Sequence, residues 1–136
     1  MRIILDSNIL FSALIKNSFT RKKLLEYQGH FLFPEIIFQE IEKHKEELRK
    51  KSSTPPEEFY ALLELLLKKV EIVPTSQIVQ LKGRALEIIE NIDRDDVLFI
   101  ACALAFPNSV IWSDDKRLKL QKAVKVYSSQ EISSMF

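Results

Sequence analysis

Short apolar runs alternate with longer amphipathic stretches along this chain, and each short run stops on polar or turn-forming residues. Arg2-Ile3-Ile4-Leu5 stops on Asp6-Ser7-Asn8, and Val110-Ile111-Trp112 stops on Ser113-Asp114-Asp115. Both read as buried strands that deliver an acid to their C-terminal ends. Residues 30–33, broken by Pro34, Val70–Val73, closed by Pro74, and residues 124–127 supply three more strands.

Between these runs the spacing predicts helices. Residues 9–15 form a short, mostly buried one, capped by Ser7 or Asn8 and ended by Lys16 and Asn17. Residues 20–28 form a second, stopped by Gly29. From residue 34 to about 51, Ile37, Ile41, His44 and Leu48 make one apolar stripe, with Pro34 in the first turn. At about 100° per residue Glu40 lies on the shoulder of that stripe, whereas Glu42 and Glu46 point away. His44 lies in the stripe itself, which favours a packed imidazole over a metal ligand. Residues 52–56 (Ser-Ser-Thr-Pro-Pro) form a tight corner before a helix over 55–69. A helix over 76–90 follows, and then one over 97–106 that is apolar all round and so should be the most buried. A short helix over about 115–121 and a terminal one from about Ser129 complete the pattern. Strands separated by helical crossovers predict an α/β fold, a three-layer sandwich around a central, mostly parallel five-stranded sheet.

Length and composition narrow this further. At 136 residues the chain is expected to be one domain with a core of useful size. A net charge of +1 gives no global attraction to nucleic acid or to an anionic membrane, so a polyanion would have to be held locally. No apolar run approaches the ~20 residues of a membrane span, and an acid at position 6 argues against a signal peptide. The single cysteine, Cys102, sits in an apolar run and is expected to be a buried thiol in the reducing cytoplasm. One Cys and two His without paired spacing argue against structural zinc.

The acids carry the candidate chemistry. Each has a plain reading: Asp6, Asp93 and Asp115 as helix caps, Asp95 and Asp96 as partners of a helix dipole, Glu40 as a surface acid. A cap typically returns about 1 kcal/mol. The joint pattern changes the balance, because acids at two strand ends, at the start of the most buried helix and beside a buried stripe can all meet at one sheet edge. Like charges ~4 Å apart repel by about 4 kcal/mol at an effective dielectric of 20. Such a cluster needs cations or bound protons, and all-oxygen donors suit Mg²⁺ or Mn²⁺.

Four segments, residues 2–10 (with Ile-Leu-Asp-Ser-Asn-Ile-Leu), 34–44 (Pro-Glu-Ile-Ile-Phe-Gln-Glu-Ile-Glu-Lys-His), 92–104 and 111–118 (Ile-Trp-Ser-Asp-Asp-Lys-Arg-Leu), together resemble a PIN-domain protein. The resemblance spans nearly the whole chain, in order. It implies a metal-dependent ribonuclease, a family that includes toxins of prokaryotic toxin–antitoxin pairs. Asp6, Glu40, Asp96 and Asp115 would then form the catalytic, metal-binding centre, holding Mg²⁺ or Mn²⁺. Asn8 and Ser113 would support it, and Asp93 would be an outer acid. Ser113-Asp114-Asp115 holds two acids where the family often has one; the spacing of Ser113 and Asp115 favours Asp115, with Asp114 as the alternative. Lys16, Arg21, Lys22, Lys23, Lys116 and Arg117 are candidate contacts for RNA phosphates, against the plainer reading of a solvated charged face. The resemblance further implies single-stranded RNA as substrate, an antitoxin as partner and a homodimer. Two rivals stand beside it: a noncatalytic PIN-like module that binds RNA or protein, and a phosphatase- or receiver-type domain with Asp6 as phosphoryl acceptor. Against the phosphatase, Asn8 stands where a second acid is expected.

Overall fold

The computed structural model describes residues 1–16 and 19–135. Strands β1 (Arg2–Leu5), β2 (His30–Pro34), β3 (Val70–Val73), β4 (Val110–Trp112) and β5 (Val126–Tyr127) form one sheet in the order β3-β2-β1-β4-β5. All four neighbouring pairs are parallel, so the sheet is wholly rather than mostly parallel. The helices are α1 (Ser7–Ile15), α2 (Phe19–Glu26), α3 (Ile37–Ser52), α4 (Pro56–Lys68), α5 (Thr75–Ile78), α6 (Lys82–Ile89), α7 (Val97–Ala105) and α8 (Ser129–Met135). Tight 3-10 turns cover Val79–Leu81, Arg94–Asp96 and Lys116–Leu120. No helix among the described residues is long and apolar enough to cross a membrane.

Burial along the strands explains the layering. Successive strand residues point to opposite faces, yet Ile3, Ile4 and Leu5 in β1, Phe31, Leu32 and Phe33 in β2, and all of β4 are buried. Both faces of the central sheet are therefore covered, as parallel sheets require, and helices supply the cover. Helix α7, with Phe99 to Ala103 buried, packs on β1, β2 and β4. Edge strand β3 is only partly covered and carries Glu71 outward.

Several local expectations change. The cap of α1 is Asp6 itself, whose side chain accepts from the Asn8 amide. Lys16 ends that helix as expected; Asn17 lies outside the described residues. Pro34 is the last residue of β2, not part of a helical turn, because it pairs with Val73 of β3 and the next amide, that of Glu35, donates to Val73 O at 2.9 Å. The helix expected over 76–90 divides into α5 and α6, with the 3-10 turn over Val79–Leu81 between them and Ile78 stretched to a φ of −119° at the join. β5 is shorter than residues 124–127, since Val124 is tied to a side chain instead: its amide donates to Gln121 Oε1 at 3.0 Å, and Gln121 Nε2 donates to Val124 O at 2.9 Å. At the corner after α3, Ser53 takes φ 56° and Ser52 Oγ caps the helix through Arg49 O at 2.7 Å.

The order β3-β2-β1-β4-β5 means that the chain first builds outward from β1 on one side and then, with β4, on the other. Such a reversal leaves a crevice outside the C-terminal ends of the two central strands. Leu5 pairs with Trp112, so the residues that follow, Asp6 and Ser113, emerge side by side at that crevice.

Core packing under the crevice should be stringent. Ile4→Ala, at 0% exposure on the central strand, is expected to lower the urea-unfolding free energy by about 2–5 kcal/mol, whereas Leu120→Ala, at 70% exposure, should be within about 0.5 kcal/mol of wild type.

Candidate metal centre

Asp6 is the first acid at the crevice and is held on all sides. Its amide donates to Trp112 O at 3.1 Å, which continues the β1–β4 ladder by one residue. Its carboxylate accepts from Ser113 Oγ at 2.6 Å and from the Asn8 amide at 3.3 Å. Burial raises its pKa above the ordinary carboxylate value; the two hydrogen bonds oppose that shift, and Asp115 and Asp114 add to it. Ser113 in turn accepts from the Asp115 amide at 3.1 Å, so one hydroxyl ties the acid after β1 to the loop after β4.

The loop before α7 brings two more acids. Asp93 caps its 3-10 turn through the Asp95 amide at 3.0 Å. Asp96 occupies the N-cap position of α7, yet its side chain makes no capping hydrogen bond. Half-buried, it is pushed up to about 7, first by desolvation and then by the charges of Asp6, Asp93 and Asp115. Simple capping therefore accounts for Asp93 and not for Asp96.

Asp115 caps the turn that follows it through the Arg117 amide at 3.0 Å. The Arg117 guanidinium also reaches back, Nε to Asp115 Oδ1 at 3.2 Å and Nη2 to Asp115 Oδ2 at 3.1 Å, with Nη2 further bonded to Asp93 Oδ2 at 2.9 Å. Those bonds hold the Asp115 carboxyl below the ordinary value. Asp114 faces elsewhere: its two oxygens accept from the amide and hydroxyl of Ser129, each at 2.7 Å, at the start of α8. That hydroxyl also accepts from Trp112 Nε1 at 2.9 Å.

Asp93, Asp96 and Asp115 offer carboxylate oxygens that all lie within 4.8 Å of one another. An open cleft of about 580 Å³ is lined by these three together with Asp6, Asn8 and Glu40. Glu40, half-buried on α3, stands outside the close triad, and its Oε2 is 3.8 Å from His44 Nε2. His44 packs its ring 5.5 Å from that of Phe11, which matches the expected packed imidazole. Of the cations singled out in the sequence, Arg117 lines the cleft. Arg21 instead donates to the carbonyls of Ala13 at 2.7 Å and Leu14 at 3.4 Å, Lys23 lies over the Phe19 ring, and Lys16, Lys22 and Lys116 are exposed. Cys102 is buried, and burial pushes its thiol up to about 12, so it is inert.

The donor set fits a small hard cation. Carboxylate oxygens alone, gathered from three residues within 4.8 Å, are the chemistry that Mg²⁺ and Mn²⁺ take. Ser7 adds a second sign: the residue borders the same cleft, and its buried Oγ has no hydrogen-bond partner among the described residues. A buried hydroxyl left without a partner is costly unless a ligand or water completes it.

The family model for the PIN domain matches residues 4–134. The chain belongs to the PIN-domain family. Among solved structures, a chain in the crystal structure of VapBC2 from Rickettsia felis, bound to a DNA fragment from their promoter, superposes with a TM-score of 0.71. That match covers 94% of this chain and 98% of the other at 19% identity, and shows a shared fold. No match was found among curated proteins.

This PIN domain also has cleft residues that sequence reasoning missed: Ser7, Lys43 and Arg94. Each had a local signal. Ser7 adjoins Asp6, Arg94 adjoins Asp93, and Lys43 lies three residues beyond Glu40 on the same side of α3.

The raised acids make stability depend on pH. A carboxyl with its folded pKa near 7 and its unfolded value near 3.8 binds more protons when folded, so its contribution is complete below the unfolded value and is lost as pH rises through the folded one. Metal-free protein should therefore lose stability between about pH 4 and 7 from this group, and Asp96→Asn should flatten the loss; denaturant midpoints across that range measure it.

Proposed function

We propose that this PIN domain is a divalent-metal-dependent endoribonuclease that hydrolyses phosphodiester bonds of single-stranded RNA in the cytoplasm, as the toxin of a toxin–antitoxin pair. The observation that supports this reading most is the close approach of Asp93, Asp96 and Asp115 beside buried Asp6 at the switch point of the sheet. Asp6, Asp96 and Asp115 would hold the ion, Mg²⁺ or Mn²⁺, with Asp93 of the close triad beside them and Glu40 on the cleft wall as a further ligand. When bound, such an ion stabilises developing charge on the scissile phosphate and makes water a better nucleophile near neutral pH.

The chain's own groups divide the remaining work. Ser113 holds the Asp6 carboxylate in one orientation and fixes the Asp115 backbone with the same oxygen. Asn8 supports Asp6 from the first turn of α1. Lys43 and Arg94, on the cleft wall, counter the charge of phosphates that flank the acids, with Lys16, Lys22, Lys116 and Arg117 as further contacts. With a net charge of only +1, RNA affinity must come from these local groups and should fall with salt. The acids alone would repel a phosphate, so metal and substrate reinforce each other at the site.

VapBC2 is a named pair whose structure was solved with promoter DNA, and the shared fold supports an antitoxin partner here. A homodimer is likewise part of the proposal, which mass by light scattering checks.

Incubation of single-stranded RNA with Mn²⁺-loaded protein tests the activity. Cleavage should stop on chelation, return with Mn²⁺, and fall at least about 100-fold in Asp96→Asn. RNA binding without cleavage, unchanged by that substitution, would instead identify a noncatalytic binding module.

A further inference from the structure

We propose that Arg117 is an internal counterion of the acidic centre, occupying it in the metal-free state and giving way when the metal ion binds. This rests on the metal-site reading above and adds to it a residue that sets the metal affinity.

Geometry carries the inference. The Nε and Nη2 edge of the guanidinium grips both oxygens of Asp115, and Nη2 also meets Asp93 Oδ2 at 2.9 Å. Two of the three close acids are thus bonded to one guanidinium of the same chain, whose single charge offsets half of theirs. A fork of this shape matches carboxylates better than an ammonium would, and it uses oxygens that a cation would need. Each of these bonds takes a lone pair that a cation could otherwise use, so guanidinium and ion compete for the same carboxylates.

Release is cheap, which makes the arrangement an exchange and not a lock. The Arg117 side chain is 60% exposed, so water solvates the guanidinium as it leaves its two less exposed acids. Its backbone stays in place after release, because the Arg117 amide bonds Asp115 Oδ1 independently of the guanidinium and Leu118 beside it is buried. The freed side chain remains at the cleft rim.

Calorimetric titration of metal-free protein with Mn²⁺ tests this, together with melting curves. Arg117→Gln should bind Mn²⁺ about three- to tenfold more tightly than wild type, with Arg117→Lys between them. Metal-free Arg117→Gln should also melt at a lower temperature and gain more from added Mn²⁺. Equal or weaker binding by Arg117→Gln, while wild type binds and Asp96→Asn weakens it, would overturn the role of Arg117 and leave the metal site standing. Binding that ignores Asp96→Asn, or no saturable binding by any variant, would overturn both.

Discussion

Carboxylates gathered at one edge of a sheet repel one another, and the groups around them in this protein are arranged to contain that repulsion. At ~4 Å and an effective dielectric of 20 the cost is about 4 kcal/mol per pair, more than a helix cap returns. Hydrogen bonds offset part of it: Ser113 and Asn8 at Asp6, the Asp95 amide at Asp93, and Arg117 at Asp93 and Asp115. Asp96 has no capping bond, and its carboxyl is the one driven to about 7. The residual demand for positive charge is therefore concentrated there. A proton meets it at acidic pH, and the proposed divalent ion would meet it at neutral pH.

The sheet makes this concentration unavoidable. Parallel pairing of β1 with β4, in the register Leu5 to Trp112, fixes Asp6 beside Ser113 before any side chain is considered. Buried apolar residues on both faces of those strands keep that register, since a slip would move the core residues out of place. Ser113 Oγ then converts backbone register into side-chain geometry by bonding both strand ends. Fold stability and site geometry are in this sense one property.

Much of this was legible in the sequence, for definite reasons. Apolar runs ending on Asp6 and on Ser113 to Asp115 gave the two central strands and the edge where their acids meet, because strand ends and parallel crossovers leave strong local signals. The shoulder position of Glu40 followed from helical periodicity, and it does line the cleft. Other features depended on partners far along the chain. Asp114 and Asp115 are adjacent and chemically alike, and what separates them is Ser129, which takes both oxygens of Asp114. Arg21 looked like a phosphate contact and instead bonds the carbonyl ends of α1. The shortening of β5 comes from the Gln121 amide replacing a strand neighbour, and no propensity encodes that. Asp93 read as an outer acid, yet the 3-10 turn folds it into the close triad.

Anomalous diffraction from crystals soaked in Mn²⁺ would show whether the acids at the β1–β4 switch point form one cation site. A strong peak is expected within coordinating distance of Asp96 and Asp115, with Arg117 displaced from them. A peak bound elsewhere on the protein, or none at saturating Mn²⁺, would contradict that expectation.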